Sequence, residues 1–196
     1  MVGIGLKNVF FCEPIITMNT MRTLPFLTVI ICVTIISSCS LFENLDDVNF
    51  DADVAVDFFV NETESNPEGG TYVGQAILDI TSDADVAEYA DKIKDVKVNK
   101  VTYLVTGLTQ SDVTFSNGSL MTISNSKVIA TLTNLPLTES VTGEFTIDTE
   151  GFSQLSAKLK NLESETILLQ GSLSETPIAF TVKCIFNVTV TANALD

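Results

Sequence analysis

Residues 48–60 read VNFDADVAVDFFV. Val48, Phe50, Ala52, Val54, Val56, Phe58 and Val60 alternate with Asn49, Asp51, Asp53, Ala55, Asp57 and Phe59. A period of two sustained over this length marks a β-strand with one face on a core and the other in water. The last apolar segment repeats the pattern. Phe180, Val182, Cys184, Phe186, Val188 and Val190 alternate with Thr181, Lys183, Ile185, Asn187 and Thr189. Cys184 falls on the apolar face, where a thiol is a structural, unreactive group.

Further strands lie between these two. Tyr72, Gly74, Ala76, Leu78 and Ile80 share one phase. Val96 and Val98 give way to Val101, Tyr103 and Val105, so the phase flips near Asn99-Lys100, as a β-bulge requires. Asn117-Gly118 is the strongest hairpin signal in the chain, predicting a two-residue turn that pairs Phe115 with Leu120 and Val113 with Thr122. Val128, Ala130 and Leu132 suit another strand, as do Val141, Phe145 and Ile147, and then Ile167, Leu169 and Leu173. Two stretches have helical spacing instead. Val86, Tyr89, Ala90 and Ile93 form one stripe, with Ser82 or Asp83 as its cap, and Phe152, Leu155, Leu159 and Leu162 form another. The pentapeptide DADVA occurs at 51–55 and at 83–87, but its flanks differ in period, so it is not a repeat unit.

Many short antiparallel strands with two short helices predict an all-β chain. It is an antiparallel β-sandwich of the immunoglobulin-like or Greek-key type, with about nine strands. A closed barrel is the alternative. There is no Cys–Trp–Cys core, so a standard immunoglobulin domain is not expected. The sandwich is assigned to residues 48–196, preceded by a short acidic tether over 39–47.

Composition narrows the function. Residues 39–196 carry eight lysines, no arginine and 24 acidic residues, a net charge of 8 − 24 = −16. That surface repels nucleic-acid phosphates and anionic headgroups, so no nucleic acid is expected as partner. The chain has no histidine, which removes Ser-His-Asp and Cys-His arrangements and histidine-bound metals. No phosphate-binding glycine loop and no G-x-S-x-G occurs. Two aspartate clusters, at Asp46, Asp47, Asp51, Asp53 and Asp57 and at Asp79, Asp83 and Asp85, lack calcium-loop spacing and read as solvated faces. No catalytic residue, metal or cofactor is assigned.

The N-terminal region differs in kind. Arg22 leads a thirteen-residue run, Leu24–Ile36, interrupted only by Pro25 and two threonines. A membrane-spanning helix needs about twenty apolar residues, whereas a signal peptide needs a shorter core. Ser37 and Ser38 then precede Cys39. Ile36-Ser37-Ser38-Cys39 resembles the lipobox of bacterial lipoproteins, with Ile in place of the usual Leu and Ser in place of the usual Gly or Ala. The resemblance covers residues 21–40. It implies a signal peptide over 1–38, its start at Met18 or Met21, and Cys39 as a lipidated N-terminus with acyl chains such as palmitate. Ser40, rather than aspartate, then implies the outer membrane. Several acyl chains make such an anchor effectively permanent, since each buried methylene contributes about 0.8 kcal/mol.

The expectation is a lipid-anchored, non-enzymatic interaction module of the bacterial cell envelope, holding an unknown protein or glycan partner through loops or a sheet edge. The alternatives are a structural subunit of a secretion, adhesion or fimbrial assembly, and a carboxylate-based glycan hydrolase.

Overall fold

A computed structural model of the chain describes residues 47–193. The predicted leader, Cys39 and the tether up to Asp46 lie outside them. Nine strands form: β1 (Asp47–Asn66), β2 (Gly70–Leu78), β3 (Ile93–Thr106), β4 (Thr114–Thr122), β5 (Lys127–Pro136), β6 (Thr142–Glu144), β7 (Thr146–Ile147), β8 (Glu165–Leu173) and β9 (Thr176–Asn193). Two helices interrupt them, α1 (Ala84–Glu88) and α2 (Thr149–Lys160). Both start where a side chain can accept the first orphan amides. Asp83 accepts from the N–H groups of Asp85 and Val86, and Asp148 accepts from that of Gly151. The expected first stripe continues past α1 into a 3-10 turn at Ala90–Lys92, and Ile93 already opens β3. None of the described helices is long and apolar enough to cross a membrane.

The strands make two sheets, ordered β1-β9-β3-β6 and β2-β8-β4-β5-β7. The expected antiparallel Greek-key sandwich is what forms, and the sheets do not close into a barrel. Its finer order is a nest: β1 pairs with β9, β2 with β8, β3 with β6 and β4 with β5. A long antiparallel ribbon wrapped in this way is a jelly roll. The alternating stretches put Val54, Val56 and Phe58 of β1, and Val182, Cys184 and Phe186 of β9, into the space between the sheets. Cys184 is fully buried, and burial followed by the nearby Asp57 charge pushes its thiol far above the ordinary range. The phase flip in β3 is a bulge, since Val98 pairs with Val188 and Lys100 with Asn187, leaving Asn99 as the extra residue.

The Asn117-Gly118 hairpin does not form. Both residues lie inside the continuous strand β4, which is flanked by β5 on one side and β8 on the other. Asn117 has φ of 51°, and the register against β8 slips between Ser116 and Ser119. The same tolerance of left-handed backbone that suits a tight turn here serves a bulge. Gly118 is needed for packing, because a Cβ there would lie 2.8 Å from the Phe115 ring. The real turn lies beyond β4, where Ser126 has φ of 54° and the Lys127 N–H donates to Asn125 Oδ1 at 3.1 Å. Asn117 is exposed, so its backbone can be tested without disturbing the core. Asn117→Val should cost about 1–3 kcal/mol in urea unfolding, and Asn117→Gly close to nothing. Equal losses in both variants would show that side-chain contacts, not backbone conformation, matter there.

Candidate functional site

The short strand β6 covers β3 only from Thr102 to Leu104. The first half of β3 is therefore left without a strand neighbour on that side, and α2 lies along it. The Val98 N–H donates to Ser156 Oγ at 3.0 Å, across 58 residues of sequence. Because backbone groups alternate in direction along an antiparallel strand, Val96, two residues earlier, also turns its N–H and C=O toward the helix. The space between strand and helix is a groove of about 670 Å³. Val96, Val98 and Phe152 form its floor, and Lys97, Asn99 and Lys160 its rim.

Three things hold α2 in place. Phe152, Leu155 and Leu159 point into the core and are buried. The Asp148 N–H donates to the Ile129 carbonyl at 2.7 Å, and Gly151 sits so close to β5 that a Cβ would lie 2.4 Å from the Val128 carbonyl oxygen. Finally, Lys158 Nζ reaches Glu165 Oε2 at 2.7 Å. Glu165 is only 2% exposed and also accepts from the Ser124 hydroxyl and backbone N–H. Burial pushes its carboxyl up, but the bonds from Lys158 and Ser124 outweigh burial and hold it below the ordinary carboxylate range.

Two lysines, Lys97 and Lys160, and one carboxylate, Asp95, line the groove, a local balance opposite in sign to that of the whole domain. Six of the eight lysines after Cys39 fall at 92, 94, 97, 100, 158 and 160, in the two segments that the Val98–Ser156 bond joins. Among the described residues, the ion pairs engage Lys94 with Asp47, Lys158 with Glu165 and Lys160 with Asp95, and none engages Lys97 or Lys100. Asn99, raised by the bulge, links the rim to a polar ladder on the outer face. Its amide donates to Asn187 Oδ1 and Thr189 Oγ1, and these in turn donate to Asp53 and Asp51.

No known family model matches the chain, and no curated protein is similar to it. Among solved structures, it is similar to a decameric BFDV capsid protein, at 10% identity and a TM-score of 0.43, over 74% of this chain and 99% of that one. It is also similar to the Desmodium yellow mottle tymovirus, at 8% identity and a TM-score of 0.37, over 98% of this chain and 95% of that one. Likeness at this level carries nothing about function.

Asp46 lies outside the described residues, and most of the other clustered aspartates have partners within the fold. Asp51 and Asp53 accept from β9, Asp57 lies opposite Lys183, and Asp79 accepts from the Thr81 N–H and hydroxyl. Asp83 caps α1, and Asp85 is exposed in its first turn. Among the described residues, no three metal-binding side chains converge. A second hollow, of about 540 Å³, lies at the end of the sandwich between the β3–β4 and β5–β6 loops. There the Glu139 carboxylate accepts the N–H groups of Gly107 and Leu108, and these two bonds hold its pKa below the ordinary range.

Proposed function

We propose that the chain is a non-enzymatic binding module, carried at a bacterial cell envelope by a lipid on Cys39, and that the α2–β3 groove receives an extended anionic ligand. The ligand reading rests on one observation: in a strongly acidic domain, a concave place with an apolar floor is lined by two lysines, Lys97 and Lys160, against one carboxylate, Asp95. An anionic chain laid there meets Lys97 and Lys160 on the rim, beside Asp95, over the buried floor of Val96 and Val98. Local charge of the opposite sign then selects it against the repulsion of the whole surface. The anchor reading rests on Ile36-Ser37-Ser38-Cys39.

Both parts have direct tests. Acidic and neutral oligosaccharides and acidic peptides, titrated into labelled protein, should shift the amide resonances of residues 95–99 and 153–160 with the acidic probes only. Lys97→Glu combined with Lys160→Glu should weaken that binding at least about tenfold, or 1.4 kcal/mol, and added salt should weaken the wild type in the same direction. Equal binding of neutral probes would remove the electrostatic reading. For the anchor, fatty-acid labelling and intact mass in a bacterial host should give a mature chain that begins at Cys39 with acyl chains, absent in Cys39→Ala. An unlipidated chain that keeps residues 21–38 would overturn it. A second reading, a structural subunit of an envelope or surface assembly, is favoured by β2, which ends its sheet and whose nine residues contain no charge and no proline.

A further inference from the structure

A sheet edge presents unpaired N–H and C=O groups, and natural proteins blunt such edges with charge, shortness, proline or a cover. The two sheets end in four strands: β1 and β6, and β2 and β7. Three of these are blunted. β6 has three residues and β7 two. β1 is long but carries Asp47, Asp51, Asp53, Asp57, Glu62 and Glu64, and the Tyr72 hydroxyl donates to its Phe59 carbonyl at 3.2 Å. β2 is the exception. Its nine residues, GTYVGQAIL, contain no charge and no proline. Alternate residues direct their backbone groups to β8, and the rest turn theirs outward. No described cap or loop hydrogen bond covers that outward edge.

The outer face of this edge is apolar as well. Val73 is 58% and Ile77 67% exposed. They pair with Gln170 and Thr166, so the half-buried Leu168 lies between their partners, and Met121 of β4 pairs with Leu168 from the other side. A strand added beside β2 would find backbone partners along its length and an apolar strip for alternate side chains, which is the chemistry of β-strand addition.

Charge at the ends decides the occupant. Glu68 lies just before β2, and Asp79, Asp83 and Asp85 just after it. If two copies of this chain paired their β2 strands, acid would meet acid in either orientation: Glu68 against Asp79 when antiparallel, like against like when parallel. We propose that β2 is the docking edge for an extended segment of a different protein, uncharged and alternately apolar in its middle and carrying lysine or arginine at both ends. This surface lies on the other sheet from the groove's β3 and stands or falls separately from the groove.

The test is amide hydrogen exchange on the full chain with a short synthetic peptide of alternating valine and threonine, flanked by lysines. The lysine-ended peptide should slow exchange at outward amides within residues 70–78 about tenfold or more, and the same peptide with glutamate ends should not. Val73→Lys with Ile77→Lys should abolish the protection without changing the melting temperature, since both positions are exposed. Lys97→Glu should leave it intact, which separates failure of this edge from failure of the groove. Three results would overturn the proposal: equal protection by the glutamate-ended peptide, protection confined to other strands, or protection of β2 that rises with protein concentration in the absence of peptide. The last would identify a second copy as the occupant.

Discussion

Phe186→Ala should lower the stability of the folded domain by about 3–5 kcal/mol, the range for removing a fully buried aromatic side chain. Phe186 is fully buried at the middle of β9, paired with Val54 on one side and Val101 on the other. The strand that carries it lies between β1 and β3, so neighbours fixed by two ladders cannot collapse far into the cavity. A single domain of this size is typically stable by about 5–15 kcal/mol, so the loss takes a large share of the total. Urea unfolding followed by circular dichroism measures it, with Phe59→Ala as control. Phe59 is 74% exposed, and its loss should stay within about 0.5 kcal/mol. A small effect at Phe186 with a large one at Phe59 would mean that β1 and β9 bury the opposite face.

The second large effect is expected at Glu165. Breaking a buried ion pair by removing one partner costs about 3–5 kcal/mol. Glu165→Ala should fall near the lower end, because Lys158 keeps a quarter of its side chain in water. The pH dependence has a definite sign. A carboxyl held below its ordinary value in the folded state contributes stability that is present above that ordinary value, 4.5, and is lost as pH falls through the depressed folded one. The gap in melting temperature between wild type and Glu165→Gln should therefore be widest near neutrality and narrow in acid, below about pH 4.5. Taking the difference cancels the other carboxylates, whose mutual repulsion also falls in acid. A gap that stays constant through this range would show that Glu165 acts through packing rather than charge.

Parts of this structure were legible in sequence because they are local. The alternation in β1 and β9 declares an inner and an outer face without reference to any other segment. The bulge at Asn99 is visible as a change of phase between Val98 and Val101, and α2 as the spacing of Phe152, Leu155 and Leu159. What depends on distant partners was not legible. Asn117-Gly118 favours left-handed backbone, but whether that makes a turn or a bulge depends on β8, whose pairing with β4 slips there. The groove joins Val98 to Ser156, and neither segment alone suggests a cleft. Glu165 did leave a signal: it shares the phase of Ile167, Leu169, Gly171 and Leu173, so period-two reading places it on the inward face. A carboxylate in that phase needs a buried cation, and Lys158 lies seven residues earlier.

The nested pairing also sets an order of events during synthesis. Of the nine described strands, β1 is made first and β9 last, yet they lie side by side, with Asp47 opposite Asn193. Among the described strands, only β9 joins β1 to β3. Until it emerges, the first sheet has no continuity, and closing such distant contacts is slow. The first sheet is therefore completed only after the last strand has been made, so its closure follows synthesis rather than accompanying it.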